Sequence, residues 1–395
     1  ANFGTGTLES KGMMDARASA QDEVERAPLI IRRVDAIPVA LPLVKPMKMA
    51  GVTITHAENL LVRVEAQDGT VGWGEAASAP TMTGDTPASL LAAVRDHLGP
   101  LLLGRDAWQR PGLRRAARSA LIGNPGAHSA VEMALIDLAG RAAGLPAIDL
   151  IGGAARTQVA PMWLLGNATP DADIAEALAK QNEGFVFFKL KIGVKPLAHE
   201  IAGTIAVREA LGPAVPLCAD ANCGLTLADA RRYAEETRAA RLKFLEQPLA
   251  HDDLAGFDAL ARSAPVPIGA DEGIHSIADV EAHARAGAGG VSLKLIKLGG
   301  LSTAVDAAGL CRRLGLSVNI AAKIAESSIA SAAAVHLACA APTIDWGVSL
   351  THFYLAADLV RDPLPLGAGG VALPLAPGLG VDIDEDAVAR FRVAA

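Results

Sequence analysis

Five polar residues recur at near-regular intervals along the second half of the chain. Lys191, Asp220, Glu246, Asp271 and Lys294 each stand at or near the end of a short apolar run: FVFFKLKIG, AVPLCAD, LKFLEQP, VPIGADE and GVSLKLI. The steps between them are 29, 26, 25 and 23 residues. A strand, a loop, a helix and a return loop take about that many residues, so the pattern is a repeated βα unit. The runs are apolar nearly throughout, as in parallel strands covered on both faces. LSVNIAA continues the series, and with a strand near PMWLLG and a last one near DWGVSL about eight units fit. Eight such units close into an α/β fold of the (β/α)8 TIM-barrel type. A doubly wound open sheet shares the alternation, but the G-x-G-x-x-G turn it would carry after its first strand is missing.

The first part of the chain has another rhythm. Residues 30–75 read as strands, with Leu60, Val62 and Val64 alternating ahead of an Asp68-Gly69 turn. Residues 86–150 read as helices. Val131, Leu135, Leu138 and Ala142 fall at helical spacing, and Gly144 is the stop. The expected organisation is an N-terminal arm over 1–27, flexible in this reading, an α+β unit over 28–155 and a barrel over 156–354. The Gly- and Pro-rich segment 355–395 is expected to return over the α+β unit.

Composition removes several function classes. A formal charge of −7 makes a poor binder of phosphate backbones, and 4% aromatics is too few for base stacking, so nucleic acid is not expected as a partner. No run approaches the roughly 20 apolar residues of a membrane span, and residues 1–27 lack the apolar run of a signal peptide. Cys218, Cys223, Cys311 and Cys339 have neither metal-site nor disulfide-framework spacing, so a cytoplasmic location is the expectation.

Barrels of this type build their sites at the C-terminal ends of the strands. Asp220, Glu246 and Asp271 close three successive strands. Neighbouring strands lie about 4.8 Å apart, so the carboxylates converge. Any one of them alone could cap a helix or pair with a base; three in register repel one another unless a cation sits among them. Oxygen donors select a hard ion, Mg²⁺ or Mn²⁺ in its place. Lys189 and Lys191 share one strand face at i, i+2, the barrel interior, and Lys294 flanks the acids on the other side; Lys297 is out of phase with it. A metal with open positions, a substrate carboxylate and a lysine on each side suit abstraction of the proton α to that carboxylate.

With these residues in place, the sequence resembles the enolase superfamily, and within it the muconate lactonizing enzyme subgroup of the mandelate racemase/muconate lactonizing enzyme family. FKLKIG, DAN, EQP, ADE, SLKLIKLGG, AESSIASAAAVHLA ahead of DWG, GWGEA and VEMALIDLAGRAAGLP carry the resemblance over most of residues 30–390. It implies a modified, enolase-like barrel with an N-terminal α+β capping domain. It also implies Mg²⁺ on Asp220, Glu246 and Asp271, Lys191 and Lys294 as opposed acid/base groups, and Lys189 as an electrostatic helper. Glu272 would orient Lys294, and Asn222 belongs to the DAN motif. Two cap loops, 45–56 and 77–86, would reach the distal part of a small carboxylate substrate, and a homo-oligomer, dimer or octamer, is implied. Lys323 in AAKIAES and Ser349 depart from the muconate cycloisomerase pattern; Lys323 is expected near the pocket, as are His56, Trp346 and His352. The implied activity is that of an isomerase, a cycloisomerase or a racemase/epimerase. Dehydration of a hydroxy acid or hydroxyproline by the same enolate chemistry is the alternative lyase reading. A barrel serving only as a binding module and a nicotinamide-dependent oxidoreductase are the readings from other classes.

Overall fold

The computed structural model describes residues 26–49 and 52–394. Residues 1–25 of the expected arm lie outside them, as do residues 50 and 51 of the first cap loop. Strands β1 (Ile31–Met49), β2 (Val52–Ala66) and β3 (Val71–Ala77) form an antiparallel sheet in that order. The β2–β3 hairpin turns at Asp68-Gly69 as expected: Gly69 has φ +90°, and the Thr70 N–H donates to the Asp68 carboxylate at 2.8 Å.

Strand alternation gives this sheet two apolar faces with different partners. Leu60, Val62 and Val64 pack into a core with Val131, Leu135 and Leu138 of a long helix. Leu61, Val39, Leu41 and Trp73 join the core of the barrel. The helices of this unit include α1 (Pro87–Ala92), α2 (Arg110–Ala120) and the long α3 (Pro125–Ala143), which ends at Gly144 in the left-handed conformation. The sequence suggests a one-sided stripe on α3, yet Gly126–Gly140 are all buried and Ala142 is exposed. The reason is that α3 lies between the sheet and the barrel, with Met133 and Ile136 facing the barrel core. The close seating depends on GWG in β3: a Cβ on Gly72 would stand 2.3 Å from the Ala134 carbonyl oxygen, and one on Gly74 2.0 Å from that of Ala130.

The second half is a parallel ring of β4 (Met162–Leu165), β5 (Phe187–Lys191), β6 (Leu217–Asp220), β7 (Leu245–Glu246), β8 (Ile268–Ala270), β9 (Gly290–Leu293) and β10 (Ser317–Ile320), neighbours in chain order. Helices α4 (Pro170–Asn182), α5 (Leu197–Leu211), α6 (Leu227–Glu236), α7 (Leu254–Ala261), α8 (Ile277–Arg285), α9 (Leu301–Leu314) and α10 (Ser328–Ala340) follow the strands in turn. The eighth strand is reduced to Val348, which bridges Pro161 and Ile320 in parallel and closes the ring. The Met162 N–H donates to the Val348 carbonyl at 2.7 Å and the Ser349 N–H to that of Ile320 at 2.8 Å. Gly347, at φ +84°, bends this segment, and a short 3-10 turn, His352–Tyr354, takes the place of an eighth barrel helix. The fold is therefore the expected enolase-like modified barrel, with seven full units and one bridging residue.

The floor of the ring holds Met162, Phe187, Cys218, Phe244 and Trp346. Trp346 stacks on Phe244 with centroids 4.1 Å apart. After the barrel, Val371–Ala372 pairs with Gln158–Val159, and the Val393 N–H donates to the Pro38 carbonyl on β1 at 3.0 Å. A buried carboxylate ties the sheet to the barrel: Glu75 on β3 accepts from the Ser327 N–H (2.9 Å), the Ser327 hydroxyl (2.6 Å) and the Ala330 N–H (3.0 Å) at the start of α10. No helix among the described residues is long and apolar enough to cross a membrane.

Candidate active site

Every strand from β5 to β9 delivers a charged side chain to the mouth of the ring. Asp220 and Glu246 are register partners; Glu246 faces Gly269, which puts Asp271, two residues on, on the same inward side. All three acids are at most 2% exposed. Lys189 and Lys191 point inward from β5 as their spacing requires: Lys189 bonds Glu246, and Lys191 Nζ lies 2.6 Å from Asp220 Oδ2 and 3.0 Å from Asn222 Oδ1. Lys294 Nζ lies 2.5 Å from Asp271 Oδ2.

All six carboxylate oxygens of the acid triad accept a hydrogen bond. Asp220 Oδ1 takes the Asn222 N–H at 3.0 Å, Glu246 Oε1 takes the Ser292 hydroxyl, and Asp271 Oδ1 takes Lys297 Nζ at 2.6 Å; the other three oxygens are on Lys191, Lys189 and Lys294. Among the described residues, no three His, Cys, Asp or Glu side chains close on one point as a bound ion would require. The acids are arranged around ammonium groups.

These pairings set the protonation states. Burial opposes the charge of Asp271, but Lys294 and Lys297 hold it well below the usual carboxylate range. Asp220 is likewise lowered, by Lys191 and Lys189 against burial. Glu246 goes the other way: burial raises it, Lys189 offsets part of this, and the charges of Asp220 and Asp271 raise it further. Glu272 is pushed up to about 7, by burial and then by Asp271 and Asp220.

A cavity of about 740 Å³ opens above the acids, with Lys191, Asp220, Asn222, Asp271, Glu272 and Lys294 along one side and Lys323 and Ser349 along another. The sheet unit roofs it with Thr53–His56 of β2 and with Pro80–Met82, segments within the two expected cap loops. Lys45, in the first part of the first loop, is not among the lining residues and pairs with Glu176 on α4 at 2.7 Å.

Several expectations need correction. Trp346 is not a pocket residue: it lies at the N-terminal end of its segment, in the floor of the ring. His352 is buried away from the cavity, its Nε2 3.0 Å from the Leu364 carbonyl oxygen. Glu272 bonds Asn222 Nδ2 at 2.9 Å and Lys294 bonds Asp271, so Glu272 acts on Lys294 through its charge and not through a hydrogen bond. Lys297 reaches the site after all. The chain leaves β9 for a helical turn, Leu295–Leu298, so i, i+3 spacing brings Lys297 back to the side of Lys294, beneath Asp271. Two contributors were missed. His251 lines the cavity. Gln247, the middle of EQP, accepts the Asp271 and Gly273 N–H groups on Oε1 at 2.9 and 3.1 Å, and so fixes the strand end that carries Asp271.

Behind the Lys323 segment, Glu326 is fully buried, and burial followed by the nearby Glu75 charge pushes it from 4.5 up to about 8. The folded state therefore holds a proton that the unfolded chain has lost, and stability falls as pH rises from about 4.5 to about 8. Glu326→Gln is expected to be close to wild type at pH 5 and more stable at pH 9 by on the order of 3–5 kcal/mol, read from urea unfolding. Parallel pH–stability curves for the two proteins would contradict this assignment.

Residues 31–152 match the mandelate racemase / muconate lactonizing enzyme N-terminal domain, and residues 173–387 match the enolase C-terminal domain-like family. Muconate cycloisomerase 1 of Rhodococcus opacus is 33% identical over 365 residues, covering 91% of this chain and 98% of its own. L-Ala-D/L-Glu epimerase of Bacillus subtilis (strain 168) is 31% identical over 354 residues, 89% of this chain and 96% of its own. The crystal structure of muconate lactonizing enzyme from Pseudomonas fluorescens complexed with muconolactone superimposes with a TM-score of 0.90 at 29% identity, covering 93% of this chain and all of that one. The chain belongs to the mandelate racemase/muconate lactonizing enzyme family of the enolase superfamily, in the company of cycloisomerases and epimerases.

Proposed function

We propose that the protein is a Mg²⁺-dependent isomerase, a cycloisomerase or a racemase/epimerase, that removes and returns the proton on the carbon α to a substrate carboxylate. The observation that carries this reading is the placement of Lys191 and Lys294 on the second and sixth positions of an eight-position ring, with Asp220, Glu246 and Asp271 on the three positions between. Second and sixth positions face each other across the ring, so the two amines approach a bound carbon from opposite walls.

The acid triad suits a hard divalent cation. It offers only oxygen donors, all buried, and the charges of Asp220 and Asp271 add to the raising of Glu246. Each carboxylate would turn one oxygen from its present hydrogen bond toward the ion. Mg²⁺, or Mn²⁺ in its place, would supply positive charge for the carboxylate of the substrate and for the electron pair it receives. The other roles belong to the chain. One lysine amine takes the α-proton, and the C–H electron pair passes into the substrate's own carboxylate. In a racemase or epimerase the opposite ammonium then supplies a proton to the other face; in a cycloisomerase the same electron pair expels a carboxylate oxygen from the β-carbon, and in reverse that C–O bond forms as a lysine ammonium protonates the α-carbon. Lys189 keeps Glu246 in place, and Asn222 holds Lys191 toward the cavity.

Incubation with Mg²⁺ in D₂O tests the reading. The panel comprises N-acyl amino acids, dipeptides, muconates, amino acids and hydroxyprolines. At least one carboxylate is expected to exchange its α-proton, and EDTA is expected to stop the exchange. Exchange that is indifferent to EDTA, or absent across the panel, would reject it.

A further inference from the structure

Lys191 and Lys294 are held in different ways. Lys191 ends β5, which is paired to β4 on one side and to β6 on the other. Lys294 stands one residue beyond β9, at the start of the helical turn Leu295–Leu298, and Lys297 is carried by the same turn. The two ammonium groups share one carboxylate: Lys294 Nζ lies 2.5 Å from Asp271 Oδ2, and Lys297 Nζ 2.6 Å from Asp271 Oδ1. A shift of the turn therefore moves both at once.

That turn belongs to the barrel in sequence but is seated on the capping unit. Ile296 is part of the core of that unit, with Val131 and Leu135 of α3. The Arg118 guanidinium, on α2, donates to the Leu298 carbonyl at 3.2 Å and to the Thr303 hydroxyl at 2.6 Å, so it bridges Gly299-Gly300 from end to end. Glu132, on α3, accepts from the hydroxyl of Ser302 in the first turn of α9. The two glycines, the LGG of SLKLIKLGG, let the cap come this close. Both have positive φ, and a Cβ on Gly300 would stand 1.7 Å from Glu132 Oε2. Glu132 is 7% exposed, and its Oε2 is buried without a hydrogen-bond partner among the described residues. A carboxylate kept in that setting is costly to the fold. What it secures is the start of the helix that follows the lysine turn.

We propose that Arg118 and Glu132 are positioning residues for Lys294: from the capping unit they clamp the two sides of Gly299-Gly300, and so keep the Leu295–Leu298 turn where Lys294 and Lys297 meet Asp271. The wall of the site that carries Lys191 is built by the strand ladder alone, and the wall that carries Lys294 depends on the cap. The effect expected on turnover rests on the proposed role of Lys294 in proton transfer; the clamp itself does not.

Trace acetylation with acetic anhydride, read lysine by lysine by mass spectrometry, tests the clamp without any substrate. The variants are Arg118→Met and the milder Ser302→Ala, which takes the hydroxyl from Glu132. In each, Lys294 and Lys297 are expected to gain reactivity by about threefold or more, while Lys189 and Lys191 stay within about 1.5-fold of wild type. A gain absent from either variant, or shared by Lys189 and Lys191, overturns the proposal. With a carboxylate that wild type exchanges in D₂O, kcat for exchange is expected to fall about tenfold in each variant with KM within about twofold, as for a misplaced but intact reacting group. An unchanged kcat, or a KM that rises as much as kcat falls, also overturns it. If wild type exchanges no carboxylate, the isomerase reading fails, and the acetylation pattern alone decides the clamp.

Discussion

Lys191→Ala and Lys294→Ala are each expected to lose turnover by about 10²–10⁴-fold, with opposite residual reactivity. In a two-base isomerase, the variant lacking Lys191 still exchanges the α-proton of one enantiomer in D₂O, and the variant lacking Lys294 exchanges that of the other. If the enzyme works on one face only, one variant exchanges nothing, and the other keeps exchange while losing stabilisation of the developing charge. The prediction rests on the two lysines belonging to opposite walls of the ring and to different acids, Asp220 and Asp271. Losses below tenfold in both variants would remove the lysines from the proton pathway. Proton NMR of substrate recovered from D₂O reads every one of these results.

On the proposed reading, Mg²⁺ stabilises wild type against heat, and Glu246→Gln is expected to abolish that stabilisation and to lower turnover by about 10³-fold or more. For wild type that stabilisation would be about 2.7 kcal/mol with the ion at a hundred times its dissociation constant. The substitution also leaves Lys189 buried without its partner, an effect of about 3–5 kcal/mol on the fold itself. A second variant keeps the readouts apart. Lys189→Met combined with Glu246→Gln removes both charges and is expected to recover most of the fold stability, but neither turnover nor the response to Mg²⁺. A Glu246→Gln protein with a normal Mg²⁺ response would show that the acids do not hold the ion.

Much of this was legible in the sequence, and the rest was not, for physical reasons. The acids and the pair Lys189/Lys191 were legible because two regular periods fix them: about 25 residues for a βα unit and two residues for a strand face. Lys297 was missed where the period changes from strand to helical turn. Trp346 was misplaced because an inward direction does not say at which end of the barrel a side chain lies; Gly269 and Gly290, where a Cβ would stand 2.7 Å from its ring, make the room for it in the floor. Glu272 went to Asn222 because Asp271 already holds Lys294, a competition visible only in space. The eighth strand shrank to Val348 since Gly347 bends the segment that alternation would have extended.

The pairing of each strand-end acid with a lysine has a bearing on how the molecule is made. Three carboxylates brought into a dry interior would oppose the closing of the ring if they arrived as bare anions. Here every one of them enters with an amine supplied by the same chain, two of them from the end of the neighbouring strand. The ring can therefore close in a newly synthesised chain whatever the local supply of divalent ions. On the proposed reading, loading the ion would then be a separate, later event, decided by exchange at the finished mouth.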